Sequence, residues 1–324
     1  ANLLAEALFW EGFELTTPRI DTVELSQIFY PTLERYNLGA LAAELEIELH
    51  HAHSALADAM ATAQLLLKLR EKIASLPRGL IEKLLSMADC LIYESRLLIE
   101  DALEDSSLFL PAHLAEVHGL YLRKPQQFLE SRHLSEQFEL NMQLLGMEAY
   151  PEQREFVAYI EDSLQQPLPS FIEAPTGIGK TYAYLLTLLA KTSKRILVSV
   201  PTKILQDQIM KKEGKTIQDL FQIPFNSLKS PKDYIQLDKF YEALQSGSDN
   251  GMIRRFKMQL LVWLTMTETG EFSEIGQLYR HLHFVADICH DGQLSKRSLF
   301  YQEDFWRLGQ AKVKTSQVIL TNHA

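Results

Sequence analysis

The chain has only two cysteines, no long apolar run and an excess of acidic residues. Cys90 and Cys289 are too few and too far apart for a disulfide framework, so we expect a protein of the reducing cytoplasm. Because no stretch of about eighteen apolar residues and no charged-then-apolar leader is present, we predict no membrane span, no signal peptide and no membrane partner. A formal net charge of −10 argues against a protein that coats nucleic acid, although a local groove could still hold one strand.

What is present is the composition of an ordinary globular protein, with 46% hydrophobic and 23% charged residues. A length of 324 residues favours two domains. Both ends interrupt a pattern, because the chain begins inside a helix-like stretch at Ala1 and stops at Ala324, soon after an apolar strand. We therefore expect an internal segment of a longer protein.

The most informative segment is a glycine-rich turn between an apolar stretch, residues 170–173, and a strong helix former, residues 182–190. Such a turn between strand and helix points backbone N–H groups at an anion, and the helix N-terminus adds positive potential. Lys180 would reach the β- and γ-phosphates of ATP, and the Thr181 hydroxyl would bind Mg²⁺. An ordinary turn is the alternative, which the agreement of strand, loop and helix disfavours. The predicted phosphate loop consists of Ala174, Pro175, Thr176, Gly177, Ile178, Gly179, Lys180 and Thr181.

Strands and helices alternate around this loop. Residues 195–200 and 317–321 predict two further buried strands, and residues 201–208 predict a helix that follows the first of them. This alternation predicts a mostly parallel sheet with ligands at the carboxyl ends of its strands. Residues 213–315 are helical and loop-rich in pattern and are interpreted as an insertion.

The first half of the chain is acidic and predominantly helical in pattern. Helices are predicted over residues 2–10 and 55–69, joined by short connections. Residues 71–145 predict a helical connector with few glycines. Within it, apolar residues at three- and four-residue spacing predict a packed helix over residues 80–99.

Several weaker motifs surround the phosphate loop in a fixed order. Gln153 precedes the loop by some twenty residues, a Pro-Thr-Lys turn follows the next predicted strand, and Thr-Asn-His stands at residues 321–323. With these motifs most of residues 140–324 resembles DinG-type helicases, the bacterial relatives of XPD within superfamily 2. The resemblance implies that Gln153 binds adenine. It also implies that Thr202 and Lys203 bind the phosphates of single-stranded DNA at a helix start.

The chain also departs from this family. Tyr150 stands where the family usually has an arginine, and the Asp-Glu-x-His motif that holds Mg²⁺ is absent. The segment alone should therefore bind nucleotide but hydrolyse it poorly. Many relatives carry an iron–sulfur cluster, which needs four thiolates. Gln236 replaces the first of these cysteines and only Cys289 remains, so we predict no iron–sulfur cluster.

A second motif lies near the start of the chain, where His53 precedes Asp58 by five residues. Together with residues 20–25 and 36–42, it resembles the third motif of DnaQ-type proofreading exonucleases. The resemblance implies that Asp58 binds Mg²⁺ and that His53 is the general base for the attacking water. The alternative is a surface loop of histidines and an aspartate that offsets a helix dipole. The other metal-binding carboxylates of that family would lie before residue 1, so this segment alone should not cut DNA.

The two motif sets, in this order and with a helical connector between them, resemble the fused DnaQ-like exonuclease and DinG-like motor of certain Gram-positive bacteria. The resemblance implies an α/β fold class. It assigns the C-terminal part of a ribonuclease-H-like exonuclease domain to residues 1–70 and a helical connector to 71–145. The first part of a RecA-like P-loop motor domain, with its helical insertion, is assigned to 146–324.

The predicted function follows from this resemblance. We expect an ATP-dependent DNA helicase fused to a 3′-5′ DNA exonuclease, using ATP and Mg²⁺ on single-stranded DNA and DNA 3′ ends in repair or replication. Two alternatives stay open. One is an ATP-regulated exonuclease without helicase activity, and the other is a nucleotide-binding scaffold without catalysis.

Overall fold

A computed structural model of the chain describes residues 2–14, 16–49, 54–125, 134–247 and 249–323. Its helices and strands, in chain order, are α1 (Asn2–Trp10), α2 (Thr22–Phe29), α3 (Leu38–Glu44), α4 (Ala55–Ala74), α5 (Arg78–Met87), α6 (Arg96–Glu104), β1 (Leu114–Val117), β2 (Leu120–Arg123), α7 (Phe138–Leu144), α8 (Pro151–Leu164), α9 (Lys180–Lys191), β3 (Ile196–Val200), α10 (Lys203–Ile209), α11 (Lys215–Phe221), β4 (Phe225–Ser227), α12 (Leu237–Gln245), α13 (Gly251–Leu264), α14 (Leu282–Ile288), α15 (Phe305–Thr315) and β5 (Val318–Asn322). Among the described helices, none combines the length and apolar composition that a bilayer crossing requires.

The chain divides into two compact units. Ala1–Pro125 and Lys232–Asp304 form the first, and Gln126–Pro231 and Phe305–Ala324 form the second. The domain boundaries drawn from the sequence stay predictions. The predicted insertion at 213–315 includes β4 and α15, which belong to the second unit. Only Lys232–Asp304 of the predicted insertion belongs to the first unit.

The second unit contains a three-stranded sheet in the order β3-β5-β4. Both ladders are parallel, and Val318 of β5 pairs with Ile196 on one side and Phe225 on the other. The predicted parallel sheet is therefore confirmed, as are the two strands predicted around 195–200 and 317–321. Leu185 and Leu186 of α9 are fully buried in the core of this unit.

The strand predicted over residues 170–173 is wrong. These residues have no regular secondary structure, and Phe171 is 98% exposed. A strand is stabilised by backbone hydrogen bonds to a neighbouring strand. The ladders of the described sheet run only between β3, β5 and β4, so this apolar segment lacks such a partner there.

The first unit contains the two helices predicted over residues 2–10 and 55–69, although the second extends to Ala74. The packed helix predicted over residues 80–99 is wrong, because α5 and α6 are separate. Tertiary hydrogen bonds favour the break. The Ile92 N–H donates to the buried Glu24 carboxylate at 3.0 Å, and the Asp21 N–H donates to the Ser95 hydroxyl at 2.9 Å.

The predicted helical connector also contains a β-hairpin, which the helical reading missed. Val117 of β1 pairs with Leu120 of β2, so the loop has two residues. His118 and Gly119 both have positive φ angles, 49° and 78°. This is the conformation of a type I′ turn, whose twist matches that of the flanking strands. A glycine in the second turn position was the local signal for this hairpin.

Residues 232–304 pack directly against the start of the chain within the first unit. Arg255 of α13 forms an ion pair with the buried carboxylate of Glu24 in α2 at 3.3 Å. The Gly276 N–H donates to the Pro31 carbonyl oxygen at 2.9 Å. A Cβ atom on residue 276 would lie 1.7 Å from the Leu33 carbonyl oxygen, so only glycine permits this approach.

A half-buried imidazole in this unit predicts a pH dependence of stability. His281 stacks on Phe256 with ring centroids 4.0 Å apart, and its pKa is lowered mainly by burial and further by Arg280 and Arg255. Near pH 6.5 the unfolded chain therefore binds a proton more readily than the folded chain. Acidification from about pH 7.5 to 5.5 should lower the free energy of unfolding through this group, by at most about 1.4 kcal/mol per pH unit. Urea unfolding should show a smaller loss for His281→Gln than for the exposed control His283→Gln, and equal losses would contradict the assignment.

Candidate nucleotide-binding and nuclease sites

The predicted phosphate loop forms a turn that leads directly into α9. Gly177 and Gly179 adopt left-handed backbone conformations, with φ angles of 88° and 74°. Residues with a Cβ atom adopt this region only at a cost, which is why glycine is needed at both positions. A Cβ atom added at Gly177 would meet no other atom within 4 Å. The loop is therefore open on that side, next to the positive end of α9.

Two polar side chains begin α9. The Lys180 ammonium donates to the carbonyl oxygens of Ala174 and Pro175, at 3.0 and 2.6 Å. The Thr181 hydroxyl is hydrogen-bonded to the phenol of Tyr184, whose pKa is raised mainly by burial. The loop thus holds one cationic and one hydroxyl group beside the backbone amides of the helix start.

Gln153 of α8 lies beside the loop and is only 1% exposed. Its Nε2 donates to the Gly179 carbonyl oxygen at 3.1 Å. A Cβ atom on residue 179 would lie 2.6 Å from that nitrogen, so the glycine also permits the close approach. The Gln153 Oε1 is buried and has no hydrogen-bond partner among the described residues. In this geometry Gln153 supports the loop, and adenine recognition by it stays a prediction.

Replacing Gln153 with Ala should weaken ATP binding about tenfold, because the loop loses a buried hydrogen bond worth about 1 kcal/mol or slightly more. Isothermal titration calorimetry with ATP and with GTP separates the two roles. Loop support predicts that both nucleotides bind more weakly, whereas adenine recognition predicts a loss for ATP alone. Glu152→Ala, at the exposed neighbouring position, is the matched control. Wild-type affinity for both nucleotides would contradict either role.

The predicted DNA contacts lie at the carboxyl edge of the sheet. Thr202 and Lys203 follow β3 and are exposed. The Thr202 hydroxyl caps α10 by accepting the Leu205 N–H at 3.2 Å. At the end of β5 the His323 Nδ1 lies 3.1 Å from the Ser199 hydroxyl oxygen. The motifs after β3 and β5 are therefore neighbours, as a parallel sheet requires.

Gln206 is a residue of this edge whose role the sequence did not reveal. It is completely buried, and its Oε1 accepts a hydrogen bond from the Asn322 side chain at 2.6 Å. Its Nε2 lies 2.7 Å from the Ser227 hydroxyl and 3.1 Å from the Leu320 carbonyl oxygen. Gln206 thereby ties α10 to the ends of β4 and β5. The only local signal is its position one turn after Thr202, on the inward face of the helix.

Asp58 stands in the first turn of α4 and is half-buried. Its backbone N–H donates to the Ser54 carbonyl oxygen at 2.9 Å. At about 100° per residue, Asp58 shares a helix face with the buried residues Ala61 and Leu65. This inward placement is the one that a metal-binding role requires. The predicted general base, His53, lies outside the described residues.

Two family models match the chain. The model described as an exonuclease matches residues 7–66, and the model described as a DEAD/DEAH box helicase matches residues 150–247. The first match includes Asp58 and the second includes the phosphate loop. Both lie in the order that the motifs predicted.

Similar proteins in three bacteria are named 3′-5′ exonuclease DinG. The Bacillus subtilis protein is 29% identical over 97% of this chain and 36% of its own length. The Staphylococcus epidermidis protein is 31% identical, over 94% and 35%, and the Staphylococcus saprophyticus protein is 32% identical, over 79% and 30%. The chain is therefore similar to these DinG proteins over most of its own length. It spans about a third of the length of these DinG relatives, and it contains one segment that matches the exonuclease model and one that matches the DEAD/DEAH box helicase model.

Many DinG-type helicases carry an iron–sulfur cluster, but of Gln236 and Cys289 in this chain only Cys289 has the thiol that such a cluster needs. Ile235 forms a β-bridge with Cys289, so the segments that bear Gln236 and Cys289 are neighbours. The Gln236 amide there contacts the Gln293 carbonyl oxygen at 3.4 Å. One thiol cannot supply the four thiolates of a cluster. The absence of a cluster stays a prediction, to be checked by iron analysis.

Metal binding by Asp58 also stays a prediction. Within the described residues, no group of three or more His, Cys, Asp or Glu side chains is arranged to hold a metal ion. Asp58 thus has the right position on its helix but no described carboxylate partners around it.

Proposed function

We propose that the protein is a cytoplasmic ATP-dependent DNA helicase fused to a 3′-5′ DNA exonuclease, acting on single-stranded DNA and DNA 3′ ends. The observation that carries the proposal is the phosphate loop, with two left-handed glycines directly before α9. An exonuclease match precedes this loop in the same chain, which supports the second activity. Two free thiols, Cys90 and Cys289, support the reducing compartment.

The loop would hold the phosphates of ATP through its backbone amides and the dipole of α9. Lys180 would exchange the carbonyl oxygens of Ala174 and Pro175 for phosphate oxygens, which are stronger acceptors because they are charged. Thr181 would release Tyr184 and turn its hydroxyl toward Mg²⁺, which when bound neutralises part of the phosphate charge. Residues 174–181 thus supply binding and orientation.

The carboxyl edge of the sheet would bind the DNA strand. Thr202 and Lys203 are exposed there and offer a hydroxyl and an ammonium to backbone phosphates. Phosphate contacts position a strand without reading its bases. Gln206 supports this role indirectly, because its buried hydrogen bonds fix α10 against the strand ends.

The nuclease role would rest on Asp58 and His53. A pair of bound Mg²⁺ ions would stabilise the attacking and leaving oxygens of phosphodiester cleavage. Asp58 would help to hold one ion from the first turn of α4, and His53 would accept the proton of the attacking water. Carboxylates outside the described residues would complete the metal site.

A second candidate function is an exonuclease that ATP regulates without powering strand separation. The similar proteins are named as exonucleases and not as helicases. Tyr150 stands where the helicase motif has an arginine, and it is 61% exposed. Recognition of the nucleotide base would therefore use different contacts from those of the helicase family. In this reading ATP binding alone would change the rate of cutting.

Strand separation and cutting by the full-length protein test these readings. A DNA duplex with a single-stranded tail is incubated with Mg²⁺ and with ATP, a non-hydrolysable ATP analogue, or no nucleotide. Strand separation only with ATP supports the helicase. Cutting that changes equally with ATP and the analogue, without strand separation, supports the regulated exonuclease. ATP binding with neither cutting nor separation would overturn both and leave a scaffold.

A further inference from the structure

A cavity of about 200 Å³ lies within the first unit, lined by residues of α2, of α13 and of the segment 276–281. Ile28 and Phe256 are fully buried in its wall, and the His281 ring stacks on Phe256 with centroids 4.0 Å apart. A cavity of about 150 Å³ holds a benzene ring, whereas drug-sized ligands occupy about 300–1,000 Å³. This cavity therefore has room for a single ring system.

Two charged side chains in the wall neutralise each other. The Glu24 carboxylate forms an ion pair with Arg255 at 3.3 Å and accepts the Ile92 N–H at 3.0 Å. Arg255 also donates to the Cys90 carbonyl oxygen at 2.8 Å. Because each charge has its own partner in the fold, neither requires a ligand of opposite charge.

The interior of the cavity favours an uncharged ligand. The pKa of Glu24 is raised and the pKa of His281 is lowered, in both cases mainly by burial. Burial acts on these groups by penalising their charged forms, and it would penalise an anionic ligand in the same way. Arg280, a further cationic side chain of the lining, is exposed and keeps its charge in water.

Three side-chain amides line the same cavity, those of Gln27, Gln259 and Gln277. Gln259 and Gln277 each donate to a carbonyl oxygen at 3.4 Å, that of Pro31 and that of Glu34, which is longer than the usual range of about 2.7–3.2 Å. Among the described residues, the Gln27 amide has no hydrogen-bond partner. Each amide carries two N–H donors and one acceptor oxygen. The cavity can thus donate and accept at the edge of a polar ring.

We propose that this cavity binds a nucleobase, either of a free nucleotide or of an unstacked position in a strand. A nucleobase is a planar, uncharged ring system whose edge carries donors and acceptors, and a glutamine amide pairs with adenine through one of each. The apolar wall would cover the ring, and the amides would bind its edge. This inference goes beyond the proposed function, because the phosphate loop lies in the other unit and no step of ATP use or DNA cutting involves the cavity.

Photolabelling of the full-length protein locates the bound base. The probe is 8-azidoadenosine, which has no phosphate group and therefore gains nothing from the phosphate loop. Peptide mass spectrometry should find the label on α2, on α13 or on residues 276–281, and excess adenosine should prevent it. Label confined to the surroundings of the phosphate loop, or no label that adenosine prevents, would overturn the proposal.

A substitution at Gln27 tests recognition of the base edge. Gln27→Met keeps the length of the side chain but removes the amide, and it should weaken adenosine binding about five- to tenfold. Gln64→Met, at an exposed position on α4, should stay within about twofold of the wild type. Indole has a similar ring but no acceptor nitrogen, so Gln27→Met should not weaken its binding. Equal losses for adenosine and indole, or no loss for adenosine, would contradict base recognition.

Competition against adenosine separates the two sources of a base. A short dA oligonucleotide that displaces adenosine, and that Gln27→Met binds more weakly, identifies an unstacked base of a strand. Displacement by AMP alone identifies a free nucleotide. Displacement by neither would overturn the proposal, because the cavity would then be closed to both sources. A protein that neither hydrolyses ATP nor cuts DNA but binds adenosine as expected would refute the proposed function and leave this site.

Discussion

Replacing Lys180 with Ala should weaken ATP binding at least about 100-fold. Lys180 is the one ammonium placed at the start of α9, where it already donates two hydrogen bonds to loop carbonyls. Each hydrogen bond to a charged group is worth about 1.5–3 kcal/mol, and two such bonds to phosphate oxygens account for the loss. Isothermal titration calorimetry with ATP and Mg²⁺ measures the change directly.

A matched variant makes this result specific to the loop. Lys194→Ala removes the same charge from an exposed position just after α9, and it should leave the affinity within about twofold because a surface charge is screened by salt. If Lys180→Ala binds ATP as tightly as Lys194→Ala, the turn is not a phosphate loop. The nucleotide-binding part of the proposed function would then fall, whatever the nuclease does.

Asp58→Asn should lower the rate of 3′-end cutting by the full-length protein about 10³-fold or more. The amide keeps the shape of the side chain but removes a charge that would hold a divalent ion, and such an ion supplies several kcal/mol of transition-state stabilisation. The rate is measured as the shortening of a 5′-labelled single strand in the presence of Mg²⁺. ATP binding should be unchanged, because Asp58 and the phosphate loop lie in different units.

Glu71→Gln is the control for this experiment. Glu71 is exposed near the other end of the same helix. The variant therefore loses one charge at a position far from the proposed metal site. The competing explanation for Asp58 is that it only offsets the dipole of α4, which is worth about 0.3–1 kcal/mol of stability. In that case Asp58→Asn would melt at a lower temperature but cut DNA at close to the wild-type rate.

The turn before α9 could be predicted because the residues that form it are contiguous in the chain. The two left-handed turns need glycine at 177 and 179, and Lys180 and Thr181 begin the following helix. The same holds for α4, whose buried face is set by the spacing of its own apolar residues and includes Asp58. The parallel strands β3 and β5 were predictable for a similar reason, since short apolar runs that alternate with helices indicate a covered parallel sheet.

The hairpin β1–β2 and the break between α5 and α6 required tertiary information. Apolar spacing alone favours one helix over residues 80–99, but the Glu24 carboxylate lies where it can accept the Ile92 N–H. A side chain nearly seventy positions away thus competes with a local hydrogen bond. In the hairpin, the His-Gly turn is a local signal, yet the surrounding sequence outweighed it in the helical interpretation.

The amino-acid sequence by itself determined which backbone segments can turn around a phosphate, which helix carries Asp58, and which family the motifs resemble. The tertiary structure alone decided that Gln153 supports the loop and that Gln206 ties α10 to the strand ends. The physical reason is the range of the interactions. Backbone dihedral angles and helix faces depend on neighbours within a turn, whereas the partner and burial of a polar side chain depend on residues that only folding brings near.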